Sequence, residues 1–482
     1  MIMDDKNTQN LKKNTIISAL SLFFQSGYAA ALGLIANLVL TIILTPKIFG
    51  IYFTVLSLIS LLNYFSDIGL AASLIQKKEI TDEDVSSTIT IQQFLIISVI
   101  IIGFFSSRFI KNFYQLPQEG IYLYWALLIS FFLSSLKTIP SVFLERKVQF
   151  QKIVFVQIIE NTFFYLTVII LGIFGFGLKS FTVAVLFRSI IGVIAIYSIS
   201  FWVPRIGISF SSLRKLLSFG APFQASSFLA LFKDDLIILY LGKVLGFEGL
   251  GYIGWAKKWA EAPIRIIMDN ISRVLFPVIA RIQHDKEKIS RLIEKNLYYQ
   301  TLLLAPTIAG LGLVMSLLVE ILPKYSKWTP ALPLFYLFCI SAFFSSYSNP
   351  FINLFNALGK VKISFSFMIF WTVATWLLTP LFTKLFGYYG FPLVQVILSL
   401  VFVAVLLKAK SIINFRFIKP VLPSLLATVG MIAIVLIYIT IVPPSYLTII
   451  TAVLTGLISY LVILKILFKI NIFKEIKILF YD

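Results

Sequence analysis

The sequence predicts an all-α polytopic membrane protein. About 14 transmembrane helices form two six-helix lobes around a central cavity, with two C-terminal helices added. Three observations predict this. The 482 residues are 59% hydrophobic and only 13% charged, with a mean hydropathy of +0.95, whereas a soluble domain carries about 25% charged residues. Apolar runs of spanning length recur along the whole chain. Lysine and arginine alternate between successive loops in a phase that never slips.

The runs fall at about 20–44, 49–66, 87–107, 121–143, 153–174, 180–203, 217–241, 249–279, 296–321, 330–357, 363–386, 388–408, 420–442 and 446–468. The stretch before the first, MIMDDKNTQNLKKN, reads as an uncleaved cytoplasmic tail, because the apolar run after it is too long for a signal-peptide core. Pro46, Pro204, Pro323, Pro330 and the pair Pro443–Pro444 mark span ends. Pro140, Pro222, Pro263, Pro306, Pro350 and Pro380 lie inside or near spans, where they kink a helix or free a carbonyl. With the N-terminus inside, 26 Lys and Arg fall on the cytoplasmic side and 8 outside. The positive-inside rule fixes that orientation, with both termini cytoplasmic. It also explains the net charge of +20 as attraction to anionic membrane lipids, so nucleic acid is not needed as a partner.

The second span's IFGIYFTV and the eighth's GLGYIGWA match, placing Phe49-Gly50 on Leu250-Gly251 at an offset of 201, with Asp67 near Asp269. Six helices repeated in one orientation give the two lobes. The domains are then 1–204 (helices 1–6), 205–412 (helices 7–12) and 413–482 (two further helices and a cytoplasmic tail).

Charge within the spans points to function. Lys257, Glu261, Arg265, Asp269 and Arg273 are spaced four apart and alternate in sign, so they share one helical face. That stripe is roughly 24 Å long against a hydrocarbon core of ~30 Å. A charge at that depth costs at least a few kcal/mol unless it meets a wet or paired interior. The stripe therefore lines a polar cavity, or forms a structural ion-pair ladder. Lys258, Lys233, Lys137 and Arg188 are the other cations within spans. Lys137 and Glu160 are equidistant from the loop near 148 and should pair across it. Asp234 and Asp235 stand similarly opposite Lys257 and Lys258, and either could bind a coupling proton or sodium ion instead. Arg188 shows no carboxylate partner and is expected to be an unpaired cavity cation. Arginine suits bidentate phosphate contact and lysine a point-charge contact, so a phosphate-bearing lipid with a polar head fits this interior.

Several functions are excluded. A single cysteine, Cys339, makes no intrachain disulfide, and one histidine, His284, builds no metal cluster. There is no GxxxxGK[ST] phosphate loop and no hydrolase or transferase constellation, so neither an ATPase, an enzyme nor a cofactor is expected.

The paired acids, then Gly242, Leu250-Gly251-Tyr252, Ala256, Pro263, Ile271-Ser272-Arg273-Val274-Leu275-Phe276-Pro277, Gln283 and Asp285 resemble the oligosaccharide-lipid flippases. These are the O-antigen, capsule and colanic-acid exporters of the multidrug/oligosaccharidyl-lipid/polysaccharide superfamily. Phe49-Gly50-Ile51-Tyr52 and Asp67-Ile68-Gly69-Leu70 resemble that family's second-helix signature. The resemblance implies alternating access in a bacterial plasma membrane. It implies an undecaprenyl-pyrophosphate-linked glycan as substrate, with a polysaccharide polymerase and glycosyltransferases as further partners. On the matched eighth helix, Arg265 and Arg273 become candidates for sugar-phosphate contact. A cation-coupled multidrug exporter of the same superfamily, and a non-transporting scaffold for glycan-assembly enzymes, are the competing readings.

Overall fold

A computed structural model describes the backbone of residues 5–66 and 69–470. The side chains of 5–16, 19, 23, 63, 65, 66, 219, 221–230, 233, 269, 270, 273 and 274 lie outside the described set. Helices, with no strand among the described residues, follow from the apolar sequence. In hydrocarbon a backbone N–H and C=O must find partners within the chain, and a helix supplies them locally.

The chain separates into two units, Met1–Gly251 and Tyr252–Asp482. The first holds α1 (Asp5–Ile43), α2 (Pro46–Ser66), α3 (Leu70–Gln76), α4 (Asp82–Tyr114), α5 (Gln118–Leu136), α6 (Thr138–Arg146), α7 (Phe150–Ile173) and α8 (Leu178–Ile199). The boundary falls inside α9 (Phe210–Arg281), whose helical geometry breaks at Gly246, with φ 71° and ψ 175°. The second unit continues with α10 (Lys286–Ile321), α11 (Leu332–Ser346), α12 (Ser348–Ala357), α13 (Val361–Phe386), α14 (Gly390–Ser399), α15 (Phe402–Lys410), α16 (Ile418–Ile441) and α17 (Tyr446–Phe468). In the first unit α7 packs on α1 and α8, and α5 packs on α2, α4 and α8. In the second, α10 packs on α11, α16 and α17, and α14 on α11 and α13.

Among the described residues, eleven helical segments are long and apolar enough to cross a membrane, and Pro46–Leu62 adds a shorter apolar stretch. One of the eleven, Val361–Lys410, contains a turn at Gly387 between α13 and α14. Another, Asp234–Met268, runs across the break at Gly246. Large apolar side chains such as Phe105, Phe174, Leu377 and Ile441 stand exposed, as a lipid-facing surface requires.

Local geometry repeats between the units. Lys137 interrupts the α5–α6 helix and Tyr347 interrupts α11–α12, both in bent right-handed conformations with a proline three residues on. Gly177 before α8 has φ 56° and ψ −124°, and Gly387 before α14 has φ 57° and ψ −131°. Only glycine enters that region without strain. The offset is 210 at both pairs. The glycines that the sequence aligns also share a role. A Cβ on Gly50 would lie 1.7 Å from the Phe247 carbonyl oxygen, and one on Gly251 would lie 2.0 Å from that of Pro46. Each glycine faces the backbone four residues before the other.

Candidate functional site

The first cluster is built on the helix break at Lys137. Pro140 has no N–H to give to the Leu136 carbonyl four residues earlier, so the helix opens there. The Tyr197 hydroxyl of α8 donates to that freed carbonyl at 3.1 Å. Lys137 extends from the break to α7 and donates to Glu160 Oε1, as their equal distances from the loop predict. Glu160 Oε2 also faces Arg188 Nε on α8 at 3.9 Å. Gly192, one turn beyond Arg188, makes room for the carboxylate: a Cβ there would sit 1.7 Å from Glu160 Oε1. The Arg188 guanidinium lies over the Phe164 ring, 5.7 Å from its centroid. Tyr52 stacks on Phe181 at 4.2 Å within the same unit.

The expectation that Arg188 is unpaired is therefore corrected. Glu160 and Arg188 stand at nearly equal distances from the α7–α8 turn near 175, which puts them within a turn of one depth. The signal was present in the sequence, but Glu160 already had one partner in Lys137. The structure shows one carboxylate serving two cations. Side-chain exposure is 7% for Glu160, 19% for Lys137 and 44% for Arg188. Arg188 is thus the accessible member.

The second cluster lies on the part of α9 in the second unit. Glu261 Oε1 faces Lys257 Nζ at 3.8 Å, and Glu261 Oε2 accepts from Arg265 Nη2 at 3.2 Å. These are the i, i+4 contacts that the stripe predicts. Arg265 is 69% exposed against 30% for Glu261, so the arginine is again the accessible member. Among the described residues, the Lys258 ammonium has no ion pair and no hydrogen bond. The side chains of Asp269, Arg273 and Lys233 lie outside the described set, as does Asp67 entirely.

Asp234 and Asp235, on the part of α9 in the first unit, sit beside Tyr64 of α2, and the Ser60 hydroxyl lies against Asp235. Lys257 is held by Glu261 in its own helix. Asp235 and Lys257 thus have local partners, whereas Lys258 has none among the described residues. The polar residues Ser60 and Tyr64 carry no charge and were not legible as partners. Among the described residues no group of His, Cys, Asp or Glu is placed to hold a metal ion, and Cys339 is a buried free thiol.

Each unit thus carries an ion-pair cluster with an accessible arginine on an apolar helix, and known folds share this all-helical architecture. A lipid II flippase MurJ structure in an inward closed conformation superposes with a TM-score of 0.76 at 16% identity, covering 94% of this chain and 99% of that one. An inward-facing multidrug resistance transporter of the MATE family gives a TM-score of 0.56 at 15% identity, covering 79% and 95%. The fold is that of the multidrug/oligosaccharidyl-lipid/polysaccharide transporters. The chain belongs to the polysaccharide biosynthesis protein family, whose profile matches residues 39–333. The lipopolysaccharide biosynthesis protein WzxC of Escherichia coli (strain K12) is 27% identical over 379 residues, 75% of this chain and 74% of that protein. The succinoglycan biosynthesis transport protein ExoT of Rhizobium meliloti (strain 1021) is 22% identical over 338 residues, 70% of this chain and 68% of its own.

Proposed function

We propose that the protein moves an undecaprenyl-pyrophosphate-linked oligosaccharide from the cytoplasmic to the outer leaflet of a bacterial plasma membrane by alternating access. One observation carries this reading. Each unit holds a Lys–Glu–Arg cluster inside an apolar span, with one cation in excess and the arginine the more accessible group. In each unit the excess cation suits a phosphoryl group, and arginine offers it a planar fork. Lys258 adds a further ammonium on the α9 cluster. The carboxylates keep the arginines from standing as bare charges when no substrate is bound. The family and the resemblance to glycan-export proteins support the substrate class. Asp234 and Asp235 are the candidates for coupling to a proton or sodium gradient.

The test is flipping in proteoliposomes. A lipid-linked oligosaccharide is placed in one leaflet, with and without pH and sodium gradients, and wild type is compared with Arg265→Glu and Arg188→Glu. Transfer by wild type that both variants lose is expected. Transfer unaffected by either reversal overturns the cationic role. Absence of transfer with several glycans under any gradient overturns the substrate.

A further inference from the structure

The chain from Ile321 to Lys474 contains twelve lysines and arginines and no aspartate or glutamate. The basic residues from Lys327 to Lys469 therefore have no acidic residue within five positions in sequence. Two of them converge. A cavity of about 480 Å³ lies where α13 begins and α15 ends, lined by Lys362, Ile363, Ser366, Phe367, Phe370 and Lys408. Among the described residues, neither the Lys362 nor the Lys408 ammonium makes an ion pair or a hydrogen bond. Lys360 and Lys410 stand exposed beside them in sequence. Apart from Ser366 the rest of the wall is apolar. It continues along both helices as exposed Phe370 and Val373 on α13 and Val403 and Leu407 on α15.

The occupant that complements this surface has an anionic head and apolar chains. Two unneutralised ammonium groups at one end attract phosphate, and the aromatic and aliphatic wall beyond them needs hydrocarbon against it. A free phosphate leaves the wall bare. A zwitterionic lipid brings its own cation against the lysines. Basic pockets between helices at the cytoplasmic side hold anionic headgroups for this reason, and the distribution of lysine and arginine places these helix ends on that side. We infer that the α13–α15 groove is a binding site for an anionic phospholipid of the cytoplasmic leaflet, with its phosphate between Lys362 and Lys408. The groove lies on helices that carry no member of either Lys–Glu–Arg cluster. The lipid bridges the ends of α13 and α15 and steadies that side of the second unit.

The test uses the purified full chain, delipidated in detergent and titrated separately with short-chain phosphatidylglycerol, phosphatidylcholine and inorganic phosphate. Melting temperature and the number of lipids retained in native mass spectrometry are read. Phosphatidylglycerol is expected to raise the melting temperature and to be retained. In K362Q/K408Q most of that rise and the retained lipid are lost, K362R/K408R keeps both, and K384Q, away from the groove, behaves as wild type. An equal rise with phosphatidylcholine shows a merely apolar groove and overturns the proposal. An equal rise with inorganic phosphate overturns the lipid as occupant, and an undiminished rise in K362Q/K408Q overturns the site. Should the double variant not fold, K408Q alone measured against K384Q decides the same question.

Discussion

Glu160→Gln removes the carboxylate that Lys137 and Arg188 share, and the two cations respond differently. Removing one partner of a buried pair costs about 3–5 kcal/mol, because the other charge remains uncompensated. Arg188 is 44% exposed, and its share is that of a surface pair, about 0–1 kcal/mol. The loss therefore falls on Lys137, which is 19% exposed, and Glu160→Gln should destabilise by about 3 kcal/mol. K137M/E160M replaces the pair with flexible apolar side chains of similar length, a change that is often neutral or stabilising. It leaves Arg188 in place. Thermal unfolding in detergent, followed by far-UV circular dichroism, should show E160Q melting well below wild type and K137M/E160M close to it. Flipping assays should show K137M/E160M active and R188Q inactive at near-normal stability. If K137M/E160M is as unstable as E160Q, the pairing is not what Glu160 contributes. If R188Q flips normally, Arg188 is not a substrate contact.

In the second unit the balance reverses. Arg265 is 69% exposed, so E261Q should shift unfolding by no more than about 1 kcal/mol, while R265E abolishes surface glycan without preventing membrane insertion, as immunoblots of membrane fractions would check. Gly50→Ala and Gly251→Ala drive a methyl into the Phe247 and Pro46 backbones and should each cost about 1–3 kcal/mol. Gly310→Ala, with nothing within 4 Å of the new methyl, should be neutral or stabilising by up to about 1 kcal/mol. Melting curves of the three compare them directly. Arg146 donates to the carbonyls of Leu74, Ile75, Lys77 and Lys78 at 2.5 to 3.2 Å. Lysine lacks that fork, so Arg146→Lys should cost about 1–2 kcal/mol and speed hydrogen exchange at the end of α3.

Helix class and membrane residence were legible because hydrocarbon leaves few choices, and the family through the short motifs around Gly50 and Gly251. A run of apolar residues must become a helix, and loop lysines must face one side. The Lys137–Glu160 pair was legible because a short turn fixes which residues of two helices share a depth. The same rule at the α7–α8 turn puts Arg188 level with Glu160, but the carboxylate serves two cations at once and Lys137 alone suffices to neutralise it. The helix breaks were half legible. Pro140 and Pro350 mark where a carbonyl is freed, but nothing in the local sequence names Tyr197 as the donor that satisfies Leu136. Gly50 and Gly251 could be aligned from sequence, while their function, backbone approach within a Cβ radius, exists only in three dimensions. The Arg146 clasp on α3 was hidden for another reason: its acceptors are main-chain carbonyls, which every sequence has.

The alternation of sign along α9 is at first sight a poor design for binding an anion. Three bare cations would attract a diphosphate more strongly than a Lys–Glu–Arg group does. A transporter, however, has to let its cargo go, and it must also fold and cross its empty state. Both arginines are partly exposed, 69% for Arg265 and 44% for Arg188, so a carboxylate already in contact, at 3.2 Å and 3.9 Å, contributes about 0–1 kcal/mol to that empty state. It also competes with phosphate for the same N–H donors, so it subtracts from affinity by an amount set by its distance and geometry. The two clusters are not equal in this respect. The Arg265 contact is a hydrogen bond, whereas the longer Arg188 contact is electrostatic only. Phosphate should therefore displace Glu160 from Arg188 more readily than Glu261 from Arg265.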